Sequence, residues 1–211
     1  MKKKGILVVV SGFSGSGKGT IMKRLLADHA DTYALSISAT TRSPRPGETH
    51  GQEYFFVSRE EFEEMIRQGA LIEYAQYVNH YYGTPRNYVI EQLEQGRDVI
   101  LEIEIQGALK VKAAYPDTLL LFLSPPGAKE LKRRLVDRGT EEESVIASRL
   151  SRAWQEAQGV ENYDYFVIND DLEECVQEVH SIIRNEHARV ARNHVLIETI
   201  RAELRNFAKG E

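Results

Sequence analysis

Short uninterrupted apolar runs alternate along this chain with stretches in which apolar residues recur every three or four positions. Continuous apolar runs are typical of parallel strands buried on both faces, whereas the longer spacing predicts amphipathic helices. The predicted strands cover residues 5–10, 33–38, 53–57, 71–78, 98–104, 118–123 and 164–168. Their alternation with helices predicts an α/β fold in which helices flank a parallel sheet.

Residues 36–86 interrupt this pattern. Their short strands, a helix opened by a capping box of Ser58 and Glu61, and a predicted turn over residues 81–85 indicate a small mixed insertion between two parts of the core. The core then resumes with the apolar strand that begins near residue 98.

The last third of the chain carries two further patterns. Residues 169–171 are predicted to cap a long helix, and three histidines recur every seven residues at 180, 187 and 194. Histidines so spaced on one helix stand about 10 Å apart, too far to share a metal, so a solvated stripe is predicted. A final apolar stripe predicts a helix whose packing on its own core is favoured over a partner surface: Leu196, Ile200, Leu204 and Phe207.

The first strand runs directly into a glycine-rich stretch, Ser11–Thr20, and a helix follows it. Gly12, Gly17 and Lys18 match the spacing G-x-x-x-x-G-K. Glycines let successive backbone amides converge on an anion, and the helix start adds its positive dipole end. A phosphate-binding loop is therefore favoured over a glycine-rich turn with a chance lysine. Its predicted ATP-binding residues are Gly12, Phe13, Ser14, Gly15, Ser16, Gly17, Lys18, Gly19 and Thr20.

The candidate metal contacts are less regular. Gly19 occupies the position where this motif has a serine or threonine for magnesium, and Thr20 follows one residue later. Glu102 and Glu104 stand at the carboxyl end of a central strand, where ligands of open α/β sheets bind. Thr20 and Glu104 are thus the candidate contacts for a Mg²⁺ ion that accompanies ATP, directly or through water, although either acid taken alone also suits a solvated strand end.

A proline-rich loop carries two arginines, Arg42 and Arg45. Pro44 and Pro46 exclude a helix there and keep the loop extended. Two guanidinium groups on a stiff loop can clamp a dianionic phosphate, although a solvated basic turn is the commoner use of such a pattern.

Composition narrows the class of protein. The 211 residues are 42% hydrophobic, and 27 basic against 32 acidic residues give a net charge of −5. This balance argues against a nucleic-acid or membrane binder. The single cysteine, Cys175, fits a buried core position in a reducing compartment, and no apolar segment is long enough to span a membrane. The prediction is a cytoplasmic protein.

Three motifs together resemble the guanylate kinase family, which phosphorylates GMP or dGMP with ATP. The family's Thr-Thr-Arg-x-Pro-Arg-x-Gly-Glu motif corresponds to residues 40–48, its Tyr-Tyr-Gly-Thr motif to 81–84, and its Arg-Gly-Thr-Glu lid motif to 138–141. The resemblance implies a P-loop kinase fold with core segments 1–35, 87–137 and 150–190. It also implies a GMP-binding insertion at 36–86 and a lid at 138–149, whereas the extension at 191–211 lies beyond the usual family end.

The same resemblance implies roles for particular residues. Arg42, Arg45, Tyr54 and Tyr82 would hold the GMP phosphate, and Ser38, Glu73 and Thr84 would hold guanine. Glu102 is a further candidate for guanine, since Glu102 and Glu104 replace the family's usual aspartates. The implied catalytic residues are Lys18, Arg42, Arg138 and Arg149, with Arg134 as a secondary candidate.

The expected reaction is in-line transfer of the γ-phosphoryl group of ATP to GMP, with ATP and GMP as partners and a monomer or homodimer as the assembly. Two alternatives stay open at this point. A related kinase for another phosphorylated substrate would lack the guanine-binding set, and a noncatalytic phosphopeptide-binding module would have a degraded phosphate loop. A regulatory GTPase is disfavoured because the chain contains no Asn-Lys-x-Asp motif.

Overall fold

A computed structural model describes residues 4–77, 79–137 and 142–209, and two sheets organise them. The strands are β1 (Leu7–Gly12), β2 (Tyr33–Leu35), β3 (Ala39–Thr40), β4 (Phe55–Phe56), β5 (Leu71–Tyr77), β6 (His80–Pro85), β7 (Asp98–Glu102), β8 (Leu119–Ser124) and β9 (Tyr165–Ile168). The helices are α1 (Lys18–Asp28), α2 (Arg59–Arg67), α3 (Arg86–Glu94), α4 (Ile105–Ala114), α5 (Ala128–Asp137), α6 (Glu143–Ala157), α7 (Leu172–Glu186) and α8 (His194–Lys209).

The larger sheet is parallel and has the order β2-β7-β1-β8-β9. Side chains alternate along its central strand, so Val8 and Val10 join the core formed with α1 and α7, while Leu7 and Val9 join the core formed with α3 and α4. Both faces are therefore covered, and the predicted parallel sheet between helices is confirmed. Cys175 lies in the α1–α7 core, 1% exposed, as predicted.

The smaller sheet, of order β4-β3-β6-β5, lies within residues 39–85. The capping box of Ser58 and Glu61 is present at the start of α2. The predicted turn over residues 81–85 was wrong, because this segment is strand β6. Tyr82 pairs with Thr40 of β3 on one side and with Ala75 of β5 on the other. Pairing with a strand on each side keeps the whole segment extended.

Several predicted strands end earlier in the structure. β2 stops at Leu35, β4 covers two residues, and β7 stops at Glu102 instead of residue 104. Glu104 instead precedes α4, where its carbonyl accepts a hydrogen bond of 2.9 Å from Ala108 N. The turn between strand and helix therefore places the Glu102 and Glu104 carboxylates at the carboxyl edge of the sheet.

The predicted solvated stripe of histidines was wrong for two of its three members. His180 Nδ1 lies 2.8 Å from the buried Tyr33 hydroxyl, and its ring stacks on His29 at 3.9 Å between centroids. His187 Nε2 contacts the buried Asp98 carboxylate at 2.9 Å. The helical spacing places both rings against the sheet, whereas His194 begins a separate helix and is exposed.

The C-terminal helix forms as predicted, but the prediction that its apolar stripe packs on the core was wrong. The stripe stays open to solvent: Leu196 is 54% exposed, Ile200 44%, Leu204 60% and Phe207 77%. Helix α8 follows a 3-10 turn at residues 190–193, and these four side chains of α8 are not packed into the core. Among the described residues, no helix is both long and apolar enough to cross a membrane.

Candidate active site

The glycine-rich loop follows the central strand β1 and lines a cavity of about 630 Å³. Gly15 and Gly17 hold positive φ angles of 98° and 88°, and Gly17 precedes the first residue of α1, Lys18. All nine predicted ATP-binding residues line this cavity. Amides in such a turn, the start of a helix and a lysine make a binding site for a polyphosphate.

Two side chains hold this loop from behind. Asn169 Nδ2 donates a hydrogen bond of 2.7 Å to the Ser16 carbonyl, and Arg134 donates one of 2.9 Å to the Asn169 carbonyl. Of residues 169–171, which are predicted to cap α7, Asp171 does so by accepting a hydrogen bond from Glu174 N, whereas Asn169 supports the phosphate loop. A polar residue at the carboxyl end of a core strand was the available signal for Asn169.

Two arginines of α6 reach the loop cavity. Arg149 donates a hydrogen bond of 2.6 Å to Ser14 Oγ, and Arg152 forms ion pairs with Glu104 and, at 3.2 Å, with Glu156. Sequence reasoning missed Arg152, whose place is determined by the packing of α6 over the end of β7. The predicted catalytic residue Arg138 lies outside the described residues.

The two candidate metal contacts, Thr20 and Glu104, line the same cavity. Gly19 has open space around it, since an added Cβ would meet no atom within 4 Å. Mg²⁺ is typically held by one or two carboxylates together with substrate phosphates and water. A hydroxyl and a carboxylate beside a phosphate loop fit that chemistry, although the described segments contain no group of three or more His, Cys, Asp or Glu side chains that could hold a metal ion by themselves.

The arginine loop is organised by Glu48, which sequence analysis did not single out. Its carboxylate pairs with Arg42 at 2.8 Å and accepts a hydrogen bond from Arg45 N at 2.7 Å. Arg42, first, and then Arg45 lower the pKa of Glu48. The Arg42 guanidinium also lies over the Tyr54 ring at 5.4 Å, whereas the Arg45 side chain is exposed. A carboxylate and an aromatic ring therefore position Arg42 before any ligand arrives.

A second cavity, of about 400 Å³, brings together most of the predicted guanine and GMP-phosphate contacts: Ser38, Tyr54, Glu73, Tyr82 and Glu102. Thr84 is buried beside it and donates a hydrogen bond of 2.7 Å to Glu73 Oε1. Burial raises the pKa of Glu73, while Thr84 and Lys110 oppose that shift. Burial also raises the pKa of Glu102, whereas the positive charge of Lys18 lowers it.

Glu104 and Arg152 line both cavities. The polyphosphate loop and the carboxylate-lined cavity therefore meet at the end of β7. A donor bound in the first cavity and an acceptor bound in the second would face each other across these two side chains.

The comparisons with known proteins agree on one family. The sequence model of the family described as guanylate kinase matches residues 4–186. Guanylate kinase of Oceanobacillus iheyensis is 52% identical over 189 residues, covering 90% of this chain and 91% of the relative. That of Clostridioides difficile is 49% identical over 203 residues, covering 96% and 98%. A crystal structure of guanylate kinase from Anaplasma phagocytophilum superposes with a TM-score of 0.71 at 32% identity and covers 91% of both chains.

Proposed function

Because this chain belongs to the guanylate kinase family and therefore phosphorylates GMP to GDP with ATP, we propose that the two joined cavities are its donor and acceptor sites. ATP occupies the loop cavity, and GMP occupies the cavity that holds Glu73. The observation that carries this division is the Glu73–Thr84 pair beside a cavity that shares Glu104 and Arg152 with the loop cavity. Because every assigned acceptor contact is to the base or the phosphate, the proposal extends to dGMP.

On the donor side, the amides of residues 12–20 and the Lys18 ammonium bind the β- and γ-phosphates. Arg149, already directed into the cavity by Ser14, adds positive charge where negative charge develops. Arg138 is assigned the same task by its place in the family's lid motif. We assign residues 138–149 as a lid that excludes water from ATP, residues 36–86 as the GMP-binding insertion, and the remainder of 1–190 as the core.

On the acceptor side, Arg42, Arg45, Tyr54 and Tyr82 hold the GMP phosphate. The acceptor oxygen is already anionic, so the transfer requires no general base. The protein's contribution is to place this oxygen in line with the γ-phosphoryl group and to neutralise charge. Glu48 serves as a positioning residue because it holds Arg42 and the backbone of Arg45 together.

We also propose that Mg²⁺ accompanies ATP, held by Thr20 and Glu104 directly or through water. When bound, the ion neutralises phosphate charge and orients the polyphosphate. Glu104 is paired with Arg152, so its carboxylate must be shared between that arginine and the ion. ATP and GMP are the proposed partners in a cytoplasmic monomer or homodimer that binds neither nucleic acid nor membrane.

Guanine selectivity follows from Glu73. One carboxylate can accept hydrogen bonds from both guanine N1–H and its exocyclic amine, with Ser38, Thr84 and Glu102 as supporting contacts. Adenine has no N1–H and would leave one oxygen of the partly buried Glu73 carboxylate unpaired. Sites with this property discriminate by factors on the order of 10⁴.

The test is Glu73→Gln, which presents one acceptor and one donor in place of two acceptors. We expect kcat/KM for GMP to fall about 100-fold or more relative to AMP, because the new amide opposes guanine. The KM for ATP stays unchanged. Glu94→Gln, an exposed change at the end of α3, serves as the matched control. An unchanged ratio of GMP to AMP use would overturn the role of Glu73.

A further inference from the structure

The cavity that holds Glu73, called the guanine cavity below, is lined by two cations, and the proposed mechanism gives no task to one of them, Lys110. It lines the cavity together with Glu73 and makes no salt bridge with any residue the structure describes. The other cation of the cavity, Arg152, is already engaged by Glu104 and Glu156. The positive charge of Lys110 can therefore act on the Glu73 carboxylate in the same cavity.

Helix α4 brings Lys110 towards the carboxylate. Gly107, one turn earlier on the same face, comes so close that an added Cβ would lie 3.5 Å from Glu73 Oε2. Thr84 occupies the opposite side of the carboxylate, on Oε1. The partly buried Glu73 thus lies between a neutral donor on β6 and the helix that carries Lys110, whose side chain is exposed at the cavity.

The ionisation of Glu73 determines which base the cavity fits. An ionised carboxylate offers two acceptors and matches the two donors of guanine. A protonated carboxyl offers one donor and one acceptor, which matches adenine, whose edge presents the N1 acceptor and the N6 amino donor. A proton on Glu73 therefore changes the preferred base.

We propose that Lys110 is a specificity-determining residue, which keeps Glu73 ionised and so excludes adenine. It is a positioning residue acting through Glu73, and the inference depends on the proposed role of Glu73 as the guanine contact. Burial raises the pKa of Glu73, whereas the hydrogen bond from Thr84 and, to a smaller extent, the charge of Lys110 lower it, which agrees with this role. Thr84 contacts the carboxylate directly, and the other titratable or charged groups that line the cavity are Tyr54, Tyr74, Tyr82, Glu102, Glu104 and Arg152.

The experiment measures kcat/KM for AMP and for GMP from pH 5 to 8 in the wild type, Lys110→Met and Lys110→Arg. The ratio of the two cancels the titration of the substrate phosphate, which both nucleotides share. We expect the AMP-to-GMP ratio of Lys110→Met to rise with falling pH by up to about tenfold per unit below the Glu73 pKa. The wild type and Lys110→Arg rise only at lower pH. Lys110→Gln repeats the test should the methionine variant aggregate.

Two further variants separate the possible failures. Lys23→Met removes an exposed helix lysine that does not line this cavity, and its ratio should follow the wild type. Glu73→Gln combined with Lys110→Met should show a high ratio that no longer depends on pH. If Glu73→Gln lowers GMP use relative to AMP as expected, but Lys110→Met and the wild type have identical pH profiles, the role of Lys110 is overturned and that of Glu73 stands. No response to Glu73→Gln would overturn the assignment of the cavity itself.

Discussion

The phosphate loop and the guanine cavity meet at the end of β7 but are built by different means. The loop is ten consecutive residues that offer backbone amides, held from behind by Asn169. The guanine cavity takes side chains from β5, β6, the end of β7 and α4, and the small sheet sets their register. In the proposed function, phosphate is therefore recognised by backbone shape, and the base by the number of donors and acceptors.

This difference predicts different responses to substitution. A change of backbone conformation should disable the loop, whereas removal of one polar atom at nearly constant volume should retune the guanine cavity and leave the fold intact.

Gly17→Ala is expected to give the largest effect. Gly17 has a φ of 88°, and an added Cβ would lie 2.3 Å from Asn169 Nδ2. A left-handed alanine costs about 1–2 kcal/mol, and the contact would also displace the hydrogen bond to Ser16. A displacement of the reacting groups by about 1 Å can lower the rate about 100-fold. Since the altered loop would displace the ATP phosphates, kcat/KM for ATP should fall by about that factor in steady-state assays.

If the two cavities are supported separately, the Gly17→Ala variant keeps its affinity for GMP, which calorimetry measures. Gly127→Ala is the matched control, because its φ is not positive and an added Cβ would meet nothing within 4 Å. Equal losses of ATP and GMP affinity in Gly17→Ala would show that the two cavities share one support.

Thr84→Val tests the guanine cavity. Valine keeps the shape of the buried threonine but removes the donor 2.7 Å from Glu73 Oε1. The KM for GMP should rise about tenfold, the worth of one hydrogen bond to a charged group, with the KM for ATP unchanged. Because this hydrogen bond lowers the pKa of Glu73, its loss should also make GMP affinity decline at higher pH than in the wild type.

Thr84→Ser retains the hydroxyl and should behave as the wild type. A Thr84→Val enzyme that unfolds at lower denaturant concentration while its GMP kinetics stay normal would assign Thr84 a structural role instead.

The same contrast explains how much the sequence could predict. The core sheet and the phosphate loop were predictable because their signals are local: apolar runs, helical spacing and a ten-residue motif. Asn169 was missed as a loop support because its partner, Ser16, lies 153 positions away. The Glu73–Thr84 contact depends on how β5 pairs with β6, which periodicity does not specify, so the guanine set was predicted by family resemblance.

The errors have a related cause. Tyr81 and Tyr82 read as a turn because Gly83 and Pro85 follow them, yet pairing with β3 and β5 makes this segment a strand. The histidines read as a surface stripe because helical spacing alone does not tell which face meets the sheet. Tertiary packing decided both cases.

His180→Asn is expected to give the smallest effect. It tests the packing between helices α1 and α7, which lies outside both cavities. Helix α1 begins at Lys18 and ends beside His29, whose ring stacks on His180, while His180 contacts the Tyr33 hydroxyl. Burial, and then the charges of His29 and Arg184, lower the pKa of His180, whereas Asp98 opposes them. Asparagine can keep the hydrogen bond to Tyr33 but does not titrate.

Because the folded-state pKa of His180 is lowered, the unfolded chain binds more protons in the window below its own histidine pKa of about 6.5. The stability contributed by neutral His180 is complete above that pH and is lost as the pH falls towards the folded-state pKa. Urea unfolding from pH 5 to 8 should therefore show a shallower acid loss in His180→Asn, by less than about 1 kcal/mol because the ring is partly solvated. Equal slopes would assign the acid loss to other groups, whereas a changed KM for GMP would show that the α1–α7 packing also supports the guanine cavity.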